Sequence, residues 1–238
     1  MRGPYGFEAN DSCENCGLRA AGFFCQLEPK ALKDLNAVRS TASYPAGALL
    51  YLEQQDPHGV FLLCAGEVKL SISSSAGKTL ILRIAKAGEV LGLMAVLANI
   101  PYEVTAETLR PCQVSFVRRE DFLNLLARYP EMHRGVVKQL TTLYSGACEQ
   151  LRTVGLSSSV PEKVARFLLD WASEGQPTKS EMKFTFPLKH EEIAEFVGTT
   201  RESVSRTLSD FKTKGFVVLQ GSTLTIANRT GLECISGT

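Results

Sequence analysis

The chain of 238 residues lacks several features that would place it in particular classes of protein. No apolar run approaches the roughly 20 residues that a transmembrane helix needs, and no basic-then-apolar signal peptide opens the chain. We therefore expect a cytoplasmic protein with no membrane partner. The histidines are few and scattered without metal-ligand spacing, and we assign solvated or structural roles to His58, His133 and His190.

Motifs of common enzyme classes are absent as well. The sequence contains no nucleophile elbow, no HExxH helix and no glycine loop of the kind that cradles phosphates. It therefore predicts a protein that is not an enzyme. An excess of one charge is also missing, since 26 Lys and Arg residues balance 25 Asp and Glu residues to a net charge of +1. Bulk charge does not favour nucleic acid, so any such function must be built locally.

A helical hairpin is predicted over residues 188–211. Gly198 can adopt a positive φ and end the first helix, and Thr199 with Glu202 fits a capping box that starts the second. Apolar residues recur at helical spacing and mark the buried faces of both helices: Ile193, Ala194, Val197, Val204, Leu208 and Phe211.

The second helix of this hairpin carries a polar outer face, formed by Thr200, Arg201, Glu202, Ser205 and Arg206. Helix-turn-helix units place such N-terminal residues against base edges, where Arg pairs with guanine and Glu accepts from cytosine. Two β-rich runs, Phe216–Leu219 and Thr223–Ile226, follow with a glycine turn between them and predict a wing. The pattern indicates a winged helix-turn-helix that binds DNA; an ordinary hairpin with a solvated face is the alternative.

The rest of the chain predicts an α+β protein in four parts. Residues 1–28 form a cysteine-bearing leader. Residues 29–118 begin with a short helix and continue as short strands with glycine turns, typical of an antiparallel barrel or jelly roll, and we assign them to a β-roll of the jelly-roll type. Residues 119–156 form a long helix, broken near Tyr129–Pro130, and residues 157–238 form the DNA-binding domain.

The long helix carries an apolar stripe at three- and four-residue steps, and we predict that it is the dimer seam: Val136, Leu140, Leu143, Ala147, Leu151 and Val154. A homodimer is favoured because helix-turn-helix proteins usually bind two half-sites. The alternative is that the stripe packs on its own β domain.

The seven cysteines are many for a cytosolic protein, where disulfides are disfavoured. A Cys13-x-x-Cys16 pair with two further cysteines suits a tetrahedral zinc site or a thiol switch. Cys64, among apolar strand residues, is interpreted as a core residue. We predict no role for Cys148 or Cys234.

The order of leader, β-roll, long helix and winged helix-turn-helix resembles the CRP/FNR family of bacterial transcription regulators over nearly the whole chain. The segment Thr200-Arg-Glu-Ser-Val-Ser-Arg206 is similar to that family's recognition helix. The resemblance implies a palindromic DNA site, a homodimer and action on RNA polymerase. Glu202, Ser205 and Arg206 match the trio that reads a TTGAT-like half-site, and Arg201 is an added basic residue.

The cyclic-AMP-binding members of this family hold the nucleotide phosphate with an Arg-Ser pair shortly after a Gly-Glu segment. The corresponding stretch here, Gly88 to Val104, has no such pair, and Glu103 would repel a phosphate. We therefore do not expect cyclic AMP to bind. A small molecule or haem in the β-roll is an alternative effector.

The cysteines resemble those of the FNR-like oxygen sensors, which hold a [4Fe–4S] cluster. The likeness implies that Cys13, Cys16 and Cys25 of the leader and Cys112 of the β-roll are the four ligands. It also implies that oxygen acts on the cluster and thereby alters the dimer seam. Cys112 alternates with Val114 and Phe116, which is equally typical of a buried structural cysteine.

Overall fold

The computed structural model describes residues 5, 13–16, 22–174, 182–185, 188–220 and 223–237. The chain forms two compact units, Met1–Ile72 with Arg83–Ser145, and Ser73–Leu82 with Gly146–Thr238. This division falls inside the long helix rather than at residue 156, and it groups the tip of one β-hairpin with the C-terminal residues. In the described residues no helix is long and apolar enough to cross a membrane.

In the described part of the leader, Cys13–Asn15 and Phe23–Gln26 form short 3₁₀ turns. They precede helix α1 (Pro29–Val38), which starts with a proline whose fixed φ suits a first helical position. Ala31, Leu32 and Leu35 form the buried face of α1.

Eight strands form the predicted β-roll as two four-stranded sheets. They are β1 (Arg39–Tyr44), β2 (Leu49–Tyr51), β3 (Gly59–Ala65), β4 (Glu67–Ser73), β5 (Thr79–Lys86), β6 (Val90–Leu91), β7 (Thr105–Thr108) and β8 (Cys112–Arg118), with helix α2 (Leu93–Ala98) after β6. The sheet orders are β1-β8-β3-β6 and β2-β7-β4-β5. The pairs β1–β8, β3–β8, β3–β6, β2–β7 and β4–β7 are all antiparallel. The predicted jelly roll is confirmed.

Strand β3 divides its side chains between two apolar cores, because successive residues of a strand point to opposite faces. Val60 and Leu62 belong to a core shared with α1 and the helices that follow the roll. Phe61 and Leu63 belong to the interior of the roll. The same alternation holds in β8, where Cys112 and Val114 belong to the interior of the roll and Val117 belongs to the core shared with α1.

Two helices follow the roll, α3 (Arg119–Arg128) and α4 (Pro130–Leu156), with the predicted break at Tyr129–Pro130. Phe122, Leu125 and Leu126 of α3 are buried in the core that α1 shares. The Tyr129 hydroxyl donates to Asp34 Oδ2 at 2.6 Å, which joins the end of α3 to α1.

The exposed stripe of α4 differs from the predicted seam in part. Val136 is 5% exposed and packs in the α1 core, and Leu140 is partly buried against it. The large exposed residues, Val137, Tyr144 and Leu151, recur every seven positions. Leu140, Ala147 and Val154 each lie three positions after one of these residues, so the six together follow the a and d positions of three successive heptads. Val136 and Leu143 fall outside this pattern.

The C-terminal residues form the predicted winged helix-turn-helix. Its elements are α5 (Val160–Glu174), β9 (Met182–Thr185), α6 (His190–Val197), α7 (Arg201–Thr213), β10 (Val217–Gln220), β11 (Thr223–Ile226) and α8 (Arg229–Ser236). Strands β10 and β11 pair antiparallel as the predicted wing, and β9 adds a third strand beside β11. The wing turn at residues 221–222, and the end of the predicted strand at 186–187, lie outside the described residues.

Candidate functional site

The α6–α7 pair is closed by a tight turn at Gly198, whose φ is +67°. The capping residue of α7 is Thr200 rather than the predicted Thr199, because the Ser203 amide donates to Thr200 Oγ1 at 3.3 Å. The helix therefore begins at Arg201, and Glu202 lies in its first turn instead of closing a capping box.

The polar face of α7 is the face that the sequence predicted. Arg201, Glu202 and Arg206 are exposed, whereas Val204 is buried on the opposite side. Ser205 is half-buried, and its Oγ lies 2.9 Å from Nδ1 of His190 at the start of α6. His190 thus contacts a predicted base-reading side chain, a role that its isolated position in the sequence did not indicate.

Four cysteines line one pocket in the first unit, and we call it the cysteine pocket: Cys13, Cys16, Cys25 and Cys64. Its walls are mostly apolar and come from Phe24, Leu35, Leu62, Leu63 and Val90. Arg39, Glu89 and Ser115 supply the polar part of the lining. The empty volume of the pocket, including its open mouth, is ≈ 520 Å³.

Cys112, the predicted fourth ligand, does not line this pocket. Its side chain is fully buried in the roll interior, where Sγ donates to the carbonyl oxygens of Arg110 at 3.1 Å and Glu67 at 3.3 Å. Strand alternation is the reason: Cys112 faces the roll interior, whereas Ser115 of the same strand faces the pocket. Cys64 is the fourth cysteine of the pocket, because it lies two positions after Leu62 on β3 and therefore on the same face of that strand.

Backbone contact places the leader against the pocket wall. A Cβ added to Gly22 would lie only 2.8 Å from the carbonyl oxygen of Gly88, so the two backbones meet more closely than a side chain allows. The Cys25 amide donates to the Gly22 carbonyl at 3.0 Å. The Phe24 side chain is buried, and its ring centroid lies 5.9 Å from that of Phe122. These contacts fix the turn that carries Cys25.

Helix α4 is joined to the same region at two points. A Cβ at Gly135 would collide with the Phe23 ring, so the absence of a side chain there makes room for the leader. One turn further on, the Gln139 carboxamide accepts from the Val90 amide at 3.1 Å and donates to the Val90 carbonyl at 2.7 Å. Val90 lines the cysteine pocket, so α4 contacts both its leader side and its strand side.

Burial is the main influence on the thiols of the pocket. It raises the pKa of Cys13 and Cys64 above the ordinary value, and that of Cys25 to about 11. The neighbouring Arg39 guanidinium acts in the opposite direction on all three. These thiols are therefore protonated and neutral near pH 7 in the metal-free protein, and metal binding must release their protons.

The donor set of the pocket fits a four-thiolate centre in number and type. Cys₄ sites hold iron–sulfur clusters and structural zinc, and apolar walls of the kind seen here limit access of solvent. Within the described ranges, no three Cys, His, Asp or Glu side chains already stand in a metal-binding arrangement. A bound metal therefore requires the four sulfurs to adjust their positions.

Comparison with known proteins identifies two domains. A family model described as a cyclic nucleotide-binding domain matches residues 41–129, and one described as a Crp-like helix-turn-helix domain matches residues 162–235. The first covers most of the roll and α3, and the second covers the α6–α7 pair and the wing.

Curated relatives and solved structures resemble the chain over most of its length. A CRP-like cAMP-activated global transcriptional regulator of Mycobacterium tuberculosis is 25% identical and covers 89% of this chain and 94% of its own. The transcriptional activator protein FnrL of Cereibacter sphaeroides is 24% identical, covering 88% and 85% respectively. The structure of FixK2 from Bradyrhizobium japonicum has a TM-score of 0.73 at 22% identity, covering 84% and 98%, and confirms the fold.

The contact between Phe23 and Gly135 generates a prediction with a matched control on the same helix. Gly135→Ala should destabilise the Phe23–Gln26 turn by about 1–3 kcal/mol, because the new methyl group displaces the Phe23 ring. Native-state hydrogen exchange of the Cys25 amide measures this local opening.

Gly146→Ala is the control, because a Cβ there meets nothing within 4 Å. Both substitutions exchange glycine for alanine within α4, so their effects on helix propensity are alike. Equal exchange of the Cys25 amide in the two variants would contradict the assigned contact.

Proposed function

We propose that the chain is a transcription regulator of the CRP/FNR type that binds a palindromic DNA site as a homodimer, under the control of a metal centre in the cysteine pocket. The family consists of DNA-binding regulators and not of enzymes. The observation that carries the proposal is that four cysteines line one pocket, and that another part of its lining, Val90, is hydrogen-bonded to α4. The protein would act in the cytoplasm, on DNA and RNA polymerase.

Sequence reading is assigned to the N-terminal half of α7. The exposed Arg206 is suited to bidentate pairing with guanine, and the exposed Glu202 can accept from cytosine N4. Ser205 completes the trio and is held in place by His190. Arg201, at the first position of the helix, is assigned mainly to phosphate, and Thr200 is assigned to capping.

The dimer seam is assigned to the exposed heptad stripe of α4. Val137, Tyr144 and Leu151 are 62%, 74% and 71% exposed, which is unusual for large apolar residues that recur on one helix face. A second copy of α4 would bury them, with Leu140, Ala147 and Val154 at the alternate positions. Such a dimer carries two copies of α7, one for each half-site of a palindromic DNA site.

The metal centre is assigned to Cys13, Cys16, Cys25 and Cys64. A [4Fe–4S] cluster bound there would supply a redox-active centre that oxygen degrades. The leader spacing and the likeness to an FNR-type activator support iron–sulfur, and the apolar lining supports a group shielded from water. Zinc, which the same four thiols suit, and a metal-free thiol switch are the competing assignments.

Control of DNA binding is assigned to the two contacts between the pocket region and α4. The Phe23 ring packs against α4 at Gly135, and the Val90 backbone is hydrogen-bonded to the Gln139 carboxamide. Val137 lies between these two positions and belongs to the exposed stripe. A change in how the leader is held would therefore act directly on the start of the seam.

A cyclic nucleotide is not part of this proposal, although the Mycobacterium tuberculosis relative is named as cAMP-activated. Among the described residues, Oε1 of Glu103 is buried without a hydrogen-bond partner, so a phosphate placed there would meet an uncompensated carboxylate. Glu89, in the Gly-Glu segment, already forms an ion pair with Arg83 and accepts from the Lys86 amide at 2.7 Å.

Cysteine variants test the assignment of the fourth ligand. Cys64→Ala should lose most of its iron after anaerobic reconstitution with ferrous iron and sulfide, because a cubane then lacks one thiolate. Cys112→Ala is the matched control, since Cys112 lies in the roll interior away from the pocket. Iron and sulfide content per protein are measured for both.

Retention of the cluster by Cys64→Ala together with its loss in Cys112→Ala would reverse the assignment. Zinc is measured in the same samples. Stoichiometric zinc in the unreconstituted wild type, with no iron uptake, would favour the zinc centre.

Arginine variants of α7 test the assignment of sequence reading. Arg206→Ala should abolish specific binding, because the variant loses a bidentate base contact. Such a contact is worth about 1–3 kcal/mol of discrimination between the right and the wrong base. Arg201→Ala should weaken binding to specific and unrelated duplexes by similar factors, because a phosphate contact carries little sequence information. Fluorescence anisotropy at fixed salt, with both duplexes, measures the ratio. Equal losses in the two variants, independent of sequence, would count against the assignment.

A further inference from the structure

Arg39 lies where the leader, α1 and two strands of the roll meet. It is the first residue of β1, it pairs with Val117 of β8, and its side chain lines the cysteine pocket. Three of its hydrogen bonds are to neutral side chains, those of Asn36, Thr41 and Ser115.

One set of bonds reaches toward Cys13. The Arg39 Nε–H donates to Asn36 Oδ1 at 2.8 Å, and the same oxygen accepts from the Cys13 amide at 3.2 Å. Asn36 is on α1, so its carboxamide connects the guanidinium to the backbone of the leader. The position of Cys13 therefore depends on an oxygen that Arg39 also holds.

A second set of bonds reaches toward Cys64. Nη1 of Arg39 donates to Ser115 Oγ at 2.9 Å and to Thr41 Oγ1 at 2.9 Å. Ser115 is fully buried, and its Oγ lies 3.4 Å from Sγ of Cys64. An unbroken series of contacts therefore runs from the Cys13 backbone to the Cys64 thiol, with Arg39 at its centre.

The charge of Arg39 adds to this geometry. A guanidinium stays protonated in proteins, and thiolates that bind a metal bring negative charge into the pocket. Arg39 lines the pocket and is positioned to balance that charge. Glutamine would keep a polar side chain but no charge, and lysine would keep the charge but not the planar fork that serves three acceptors.

We propose that Arg39 is the positioning residue of the cysteine pocket: it fixes Cys13 and Cys64 relative to each other, so that they bind one metal centre, and it balances the charge of their thiolates. The proposal rests on the proposed function for the identity of the ligand. The arrangement of the two cysteines is independent of it and can be tested in the metal-free protein.

The test compares Arg39→Gln with Arg118→Gln in the full chain. Arg118 is the last residue of β8 and follows Val117, which pairs with Arg39. Its side chain is 76% exposed in a surface ion pair with Asp121 and does not line the pocket, so Arg118→Gln is a matched loss of one arginine. In the metal-free protein, Arg39→Gln should speed exchange of the Cys13 amide about ten-fold. After reconstitution with ferrous iron and sulfide, or with zinc alone, it should lose metal to a chelator about ten-fold faster. Arg118→Gln should match the wild type in both.

Arg39→Lys and Asn36→Ala keep the proposal testable if Arg39→Gln does not fold. Arg39→Lys should show faster Cys13 exchange with metal loss slower than in the glutamine variant. Asn36→Ala should reproduce the faster Cys13 exchange with a smaller increase in metal loss than Arg39→Gln, because it removes the shared acceptor but keeps the guanidinium and its bond to Ser115. Wild-type rates in both Arg39 variants would overturn the proposal. A wild type that takes up neither metal would refute the proposed metal centre, whereas the exchange arm would still decide the role of Arg39.

Discussion

The packing of the Phe23–Gln26 turn against the β-roll and α4 is the contact on which the other features of the first unit depend. Phe24 enters the core shared with α1 and α3, and Phe23 occupies the space left by Gly135. This brings Cys25 into the pocket that Cys64 also lines, and it places the leader against α4 at Gly135, two residues before the exposed stripe begins at Val137. Without it, the leader cysteines would have no defined relation either to the roll or to the helix.

The parts of the fold that could be predicted from the sequence are those with local signals. Gly198 ends α6 through a positive φ that favours glycine, and the spacing of Val204, Leu208 and Phe211 gives the buried face of α7. The wing strands have β-rich runs on each side of a glycine turn. The error at the start of α7 was a shift of one residue, since adjacent threonines are equally good caps.

The assignments that changed depend on which neighbour covers a face. Cys64 and Cys112 both lie in apolar strand sequences, and nothing local indicates that the leader covers the face of Leu62 and Ser115 rather than that of Val114. Val136 and Val137 are adjacent and chemically identical, yet α4 packs on its own core through the first. Strand parity, applied to β3 and β8 together, would have separated the two cysteines once the leader was known to pack outside the roll.

The most direct measurement is made on the anaerobically purified full chain: its visible spectrum, its iron, sulfide and zinc content, and its affinity for a palindromic duplex before and after exposure to air. Our account predicts broad visible absorbance with near-equal iron and sulfide, bleaching in air and a change in affinity for the duplex that accompanies the bleaching. A colourless protein without iron or zinc, whose DNA affinity is the same before and after air, would contradict control by a metal centre.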